Sequence, residues 1–213
     1  MKVRPIISAV LVAVLVAMLC AGGAWGKTLR IVSYNIDCSD QSSDGNITNS
    51  THSLPTVVQA IGLHHLGTNA QPVDVMSCEE LNSTSLSNFC VQLNAIYGAG
   101  AYAFGPTNDP NTGGGPDGII YRTNSVQVIS ARALLTGTNV LLQSNGTYIL
   151  AHSPGGGYKG VTRAPVVYQL RPVGYGSNDD FYFYVSHARA SSSDDAVGDA
   201  RYAEAQEVRS DAK

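Results

Sequence analysis

The sequence predicts a single α/β domain in which helices cover a mixed β-sheet core. Three observations lead there. Short runs rich in β-branched and aromatic residues end in polar turn formers and read as strands. Two amphipathic segments alternate with the first of these strands. Past residue 100 the chain is mostly strand and glycine-rich loop, until a last helical segment closes it. Layered helices and sheet are the natural single-domain arrangement of such an order.

The first 26 residues are expected to lie outside this domain. Lys2 and Arg4 give a positive start, an almost unbroken apolar run follows over 6–19, and Ala24-Trp25-Gly26 fits a small-x-small cleavage site before Lys27. The run is short for a membrane span, which wants about 20 apolar residues. Cys20 follows Leu19, so a lipoprotein cleavage pattern fits poorly. The sequence therefore divides into a signal peptide at 1–26 and one domain at 27–213, and the expected location is secreted or periplasmic, with no stable membrane insertion after cleavage.

The chain has 13 basic and 16 acidic residues; the leader holds two of the basic ones and no acid, so 11 face 16 in the remainder, a net charge of −5. That balance argues against a basic nucleic-acid clamp. A mildly acidic protein can still act on phosphate esters where a metal ion offsets the local charge. Cys38, Cys78 and Cys90 remain after the leader, an odd number, and export permits a disulfide without fixing which pair. Their spacings match no zinc motif. Asn46, Asn49, Asn82 and Asn145 each open an Asn-x-Ser/Thr sequon.

The strand at 29–36 (LRIVSYNI) leads into a Ser/Asp/Asn-rich loop over 37–53. Pro55 can open a helix, Val57, Val58, Ile61 and His65 keep helical spacing, and Gly67 ends it. An apolar strand at 73–78 precedes a second helix over 85–97, with Leu86, Phe89, Cys90, Leu93, Ile96 and Tyr97 on one side and Gly98 as its stop. A short strand at 101–104 and a Gly/Pro/Asn loop at 108–115 come next. Strands at 118–121 and 126–131 are expected to form a hairpin around 122–125. A strand near 148–151, a glycine-rich loop at 153–159, and a hairpin of 166–171 with 181–186 follow. The last segment, 199–211, is expected to be helical, with Tyr202, Ala205 and Val208 on one face.

Three strand ends carry side chains suited to chemistry: Asn35, the pair Glu79-Glu80, and His187. Ligands in α/β sheets bind outside strand ends. Taken singly, Asn35 also suits a turn, the two glutamates a solvated strand end, and His187 a surface position. Their order says more. LRIVSYNI ends in Asn35. Asp74-Val75-Met76-Ser77-Cys78-Glu79-Glu80-Leu81 follows the pattern Asp-apolar-apolar-x-x-Gln-Glu-apolar, with Glu79 in place of the Gln. Asp117-Gly118-Ile119-Ile120-Tyr121-Arg122, then Arg163-Ala164-Pro165, then FYFYVSHARASSS with His187, and a helix with the early Arg201 complete the series.

In this series the chain resembles the endonuclease/exonuclease/phosphatase family, which has the fold of pancreatic deoxyribonuclease. The resemblance spans nearly all of 28–212. It implies a deoxyribonuclease-like two-layered β-sandwich core with flanking helices, and a metal-dependent phosphoesterase acting on nucleic acid, phospholipid or a sugar phosphate. It implies Glu80 as metal ligand with Asn35 as its helper, His187, Tyr121 and Asn35 as catalytic groups, and Arg163 with Asn35 on the substrate phosphate. Mg²⁺ is the implied ion, with Mn²⁺ or Ca²⁺ as alternatives. The chemistry agrees, since Mg²⁺ takes one or two carboxylates, keeps several waters and binds substrate phosphate.

The family's Asp-x-Asn and final Ser-Asp-His do not follow His187 in the 213 residues. The expectation is a C-terminally truncated member, with an incomplete sandwich and little or no hydrolase activity. Two other functions compete. A non-catalytic exported binding or surface protein would suit the Ser/Gly/Asn-rich loops. A serine hydrolase fits poorly, because there is no Gly-x-Ser-x-Gly elbow.

Overall fold

A computed structural model describes residues 28–35, 54–65, 70–81, 83–108, 117–134, 140–142, 147–150, 164–187 and 195–213. Residues 1–26, expected to be a signal peptide, and Cys38, the four sequon asparagines and Arg163 lie outside the described residues.

Strand β2 (Val75–Glu79) organises the fold. On one edge it pairs in parallel with β1 (Ile31–Asn35), Val75 opposite Ile31 and Glu79 opposite Asn35. On the other it pairs antiparallel with β5 (Asp117–Arg122), Glu79 opposite Asp117 and Val75 opposite Tyr121. Strand β3 (Tyr102–Phe104) adds to the far edge of β5. The first sheet is therefore mixed, in the order β1-β2-β5-β3. A second, antiparallel sheet runs β10-β9-β6, from β6 (Val126–Ala133), β9 (Val166–Pro172) and β10 (Phe181–Val185). A small third sheet joins β4 (Thr107–Asn108), β8 (Thr147–Leu150) and β7 (Val140–Leu142).

Successive side chains on a strand face opposite ways, so β2 and β5 each feed two cores. Met76, Cys78 and Ile120 turn to the helices, where they meet Leu86, Phe89, Cys90 and Leu93 of α2 (Ser83–Tyr97) and Val58 of α1 (Leu54–Leu63). Val75 and Ile119 turn the other way, against Val166, Tyr168, Leu170 and Val185 of the second sheet. The molecule is thus a two-sheet α/β sandwich with helices on its outer face. Each fully buried Leu or Phe in these cores contributes roughly 1.5–3 kcal/mol.

Local anchors fix the register at the start of β1 and β2. The Arg30 N–H donates to Asp74 Oδ2 at 2.8 Å, and Gln71 Nε2 donates to the same oxygen at 2.9 Å. Asp74 is buried and structural. The Arg30 guanidinium reaches the C-terminal end of α1 and donates to the carbonyls of Ile61 and His64. No basic residue of α1 itself lies in its last turn, so Arg30 supplies the cation that complements the helix dipole. Helix α2 ends at Gly98, whose φ of 104° is the left-handed stop that glycine favours.

The expected hairpin does not form. Strands β5 and β6 are consecutive but do not pair, because β5 has both edges occupied, by β2 and β3. The chain instead crosses to the second sheet through a turn in which Ser125 N–H donates to the Arg122 carbonyl at 3.0 Å. The last helix, α3 (Asp195–Asp211), does not bury Tyr202, which is 66% exposed. It turns Glu204 inward and ties Asp211 to the second sheet, where Arg132 and the Tyr184 hydroxyl both donate to it. Among the described residues no helix is long and apolar enough to cross a membrane.

Candidate functional site

The parallel pairing of β1 and β2 brings their C-terminal ends together, and the antiparallel pairing of β5 brings its first residue to the same edge. Asn35, Glu79 and Asp117 therefore stand side by side, each the register partner of its neighbour. Strand β10 of the second sheet ends at Val185, and His187 follows two residues later above this corner.

Glu79 and Glu80 part company here. The carboxylate of Glu79 accepts a hydrogen bond from the Ser33 hydroxyl at 3.3 Å, on the face of the sheet that carries Asn35 by strand alternation. Glu80 leaves the strand with φ at 62°, the sole non-glycine residue with positive φ among the described residues. That conformation costs on the order of 1–3 kcal/mol for a side chain with a Cβ and concentrates at functional positions. The turn takes the carboxylate out of the strand's alternation and sets Glu80 Oε1 3.2 Å from His187 Nε2. Both side chains are mostly buried, at 18% and 14% exposure, so the pair is shielded yet reachable.

Asp117 is the residue that sequence reasoning missed. It is fully buried, and its Oδ2 accepts the backbone N–H of His187 at 2.9 Å. Its sequence cue was weak: an acid at the mouth of a strand, next to a Gly/Pro loop.

Of the expected site residues, the fold brings Asn35, Glu80 and His187 to one corner. Tyr121 is not brought there. It is the fifth residue of β5 and pairs with Val75, at the opposite end of β2, about 13 Å along the strand from Asp117. The cause is strand direction: β5 runs against β2, so its start borders the site and its end does not. Tyr121 packs against the core between the sheets, and burial raises its hydroxyl pKa.

The donor set at the corner is hard oxygen: the Glu80 carboxylate and the Asn35 amide, with the Glu79 carboxylate engaged by Ser33 beside them. It fits an ion such as Mg²⁺, which needs few protein ligands and keeps its waters. Among the described residues no cluster of three His, Cys, Asp or Glu is set to cage a metal, which is what a zinc-type site would need. Cys78, at the same strand end, faces the helices and is wholly buried. Cys78 and Cys90 are both free thiols, so they do not pair with each other.

No family model matches the chain, and no curated protein sequence matches it. Solved structures do. The chain is similar to an endonuclease/exonuclease/phosphatase family protein from Bacteroides thetaiotaomicron, with 15% identity and a TM-score of 0.41 over 73% of this chain and 49% of that one. It is similar to a functionally unknown conserved protein from Enterococcus faecalis, with 16% identity and a TM-score of 0.41 over 74% and 50%. It is also similar to a mannosyl-6-phosphatase from Bacteroides thetaiotaomicron, with 15% identity and a TM-score of 0.39 over 74% and 50%. The chain spans about half the length of these solved structures.

Proposed function

We propose that the chain is an exported phosphoesterase of the endonuclease/exonuclease/phosphatase type, with its metal and phosphate site at the corner of Asn35, Glu80 and His187. The observation that carries this is the Glu80–His187 pair, 3.2 Å apart and built by a strained turn at a strand end. Glu80 and Asn35 would hold Mg²⁺, which when bound polarises the phosphoryl group and neutralises charge on the leaving oxygen. His187 would donate a hydrogen bond to a non-bridging oxygen where negative charge develops. Asn35, on the exposed face of β1, orients the ester beside it. Arg163 is proposed to take the phosphate in a two-pronged contact. Tyr121 has no part in this reading, because it stands at the far end of its strand.

A corner bearing Glu79 and Glu80 repels a phosphate unless a cation is present. Phosphate binding should therefore depend on Mg²⁺. The Asp-x-Asn and Ser-Asp-His that would orient the water and remove its proton do not follow His187 in the 213 residues, so binding is the test of the site. Inorganic phosphate titrated calorimetrically should bind only with Mg²⁺, and His187→Ala should weaken it about tenfold. Phosphate binding that ignores Mg²⁺, or that survives His187→Ala unchanged, would contradict the proposal and favour a non-catalytic exported binding protein.

A further inference from the structure

We infer that Asp117 is a positioning residue for His187, and this rests on the phosphoesterase reading above. Asp117 opens β5 in the first sheet, while His187 lies beyond the end of β10 in the second. One hydrogen bond joins them, from the His187 backbone N–H to Asp117 Oδ2 at 2.9 Å, and the two residues are 70 apart in sequence. The acceptor is a carboxylate with no exposed surface. Burying a carboxylate is costly, and a neutral acceptor would suffice merely to satisfy a strand-end N–H. A charged acceptor makes a shorter and stronger bond to that N–H.

The consequence is geometric. The bond holds the His187 backbone nitrogen against the first sheet. The imidazole then falls beside Glu80, which is itself one residue beyond Glu79, the register partner of Asp117. The strand end that supplies the carboxylate at the site thus also fixes the histidine opposite it. Asp117 touches no substrate in this arrangement and acts on the site through His187.

Two measurements on the full chain test this. Amide hydrogen exchange read by NMR should show the His187 N–H protected in the wild type. Asp117→Ala should speed that exchange at least tenfold while the Val185 amide stays protected. With Mg²⁺ present, Asp117→Ala should weaken inorganic phosphate about tenfold, as losing an orienting partner commonly does. Asp117→Asn, which keeps an oxygen acceptor, should recover most of that loss, and Mg²⁺ affinity should be unchanged in both. A general loss of structure would instead reduce Mg²⁺ and phosphate binding together. A wild-type His187 amide exchanging at the solvent rate overturns the inference, a result that stands even if Asp117→Ala does not fold. Phosphate affinity unaffected by Asp117→Ala overturns it as well. A wild type that binds no phosphate at all overturns the phosphoesterase reading instead, and the exchange result then reports on the anchor separately.

Discussion

Glu80 Oε1 stands 3.2 Å from His187 Nε2, and Glu80 reaches that position through a left-handed backbone turn at φ 62°. The contact joins the ends of strands from two different sheets. It separates Glu80 from Glu79, whose carboxylate is held by Ser33 on the strand itself.

The left-handed turn gives a stability prediction. Glu80→Ala and Glu80→Gly both remove the carboxylate, but only glycine adopts φ 62° without a Cβ clash. Glu80→Gly should be the more stable of the two by about 1 kcal/mol in chemical denaturation. Equal stabilities would show that the turn is unstrained in solution.

Gly118 tests the close fit between β5 and α2. A Cβ there would lie 2.6 Å from Leu86 Cδ1 and 2.8 Å from Thr107 Cγ2. Leu86 is fully buried. Gly118→Ala should cost about 1–3 kcal/mol, as overpacking does. A denaturation midpoint matching the wild type would refute this packing.

The last helix is held by charge. The hydrogen bond from Arg132, then that from the Tyr184 hydroxyl, lowers the Asp211 pKa against an opposing effect of partial burial. A pKa depressed in the folded state means stability that is present above the ordinary carboxylate range and lost as pH falls through the folded value. Asp180 behaves alike, lowered first by its hydrogen bond from Arg171 at 2.5 Å. Stability should hold down to about pH 4 and decline below it. Asp211→Asn should remove part of that decline and cost up to about 1 kcal/mol at neutral pH. Thermal melts across pH 2–7 read both effects, and an unchanged pH profile in Asp211→Asn would contradict the assignment.

The two thiols buried between the first sheet and the helices, Cys78 and Cys90, should be inert in the folded protein. Burial pushes the Cys90 thiol up to about 12, and burial, then Cys90 itself, raises that of Cys78 well above the ordinary value. Alkylation proceeds through the thiolate. Iodoacetamide at pH 8 should leave both positions unlabelled until denaturant is added, as peptide mapping would show. Rapid labelling of Cys78 in the native state would place it at the surface.

Much of this was legible in the sequence where one local rule sufficed. Strand β1, strand β2, helix α2 and the β9–β10 hairpin follow from apolar periodicity and turn residues, and so does the placing of Asn35, Glu80 and His187 at strand ends. What failed depended on pairing that no local pattern records. The β5–β6 hairpin was ruled out by the occupied edges of β5. Tyr121 was misplaced because the direction of β5 relative to β2 decides which end borders the site. The inward turn of Glu204 and the tie of Asp211 to Arg132 and Tyr184 were not legible, because they depend on partners far away in sequence. Asp117 escaped notice because its role is to hold a backbone N–H 70 residues away.

The central claim is that Glu80, and not its neighbour, is the carboxylate that holds the metal. Calorimetric Mg²⁺ titration of the wild type, Glu80→Gln and Glu79→Gln tests it most directly. The account predicts that Glu80→Gln loses Mg²⁺ binding while Glu79→Gln keeps it within about threefold, since the amide of Gln at 80 preserves shape and removes only the charge the ion needs. Unchanged Mg²⁺ affinity in Glu80→Gln, or its loss only in Glu79→Gln, would contradict the account.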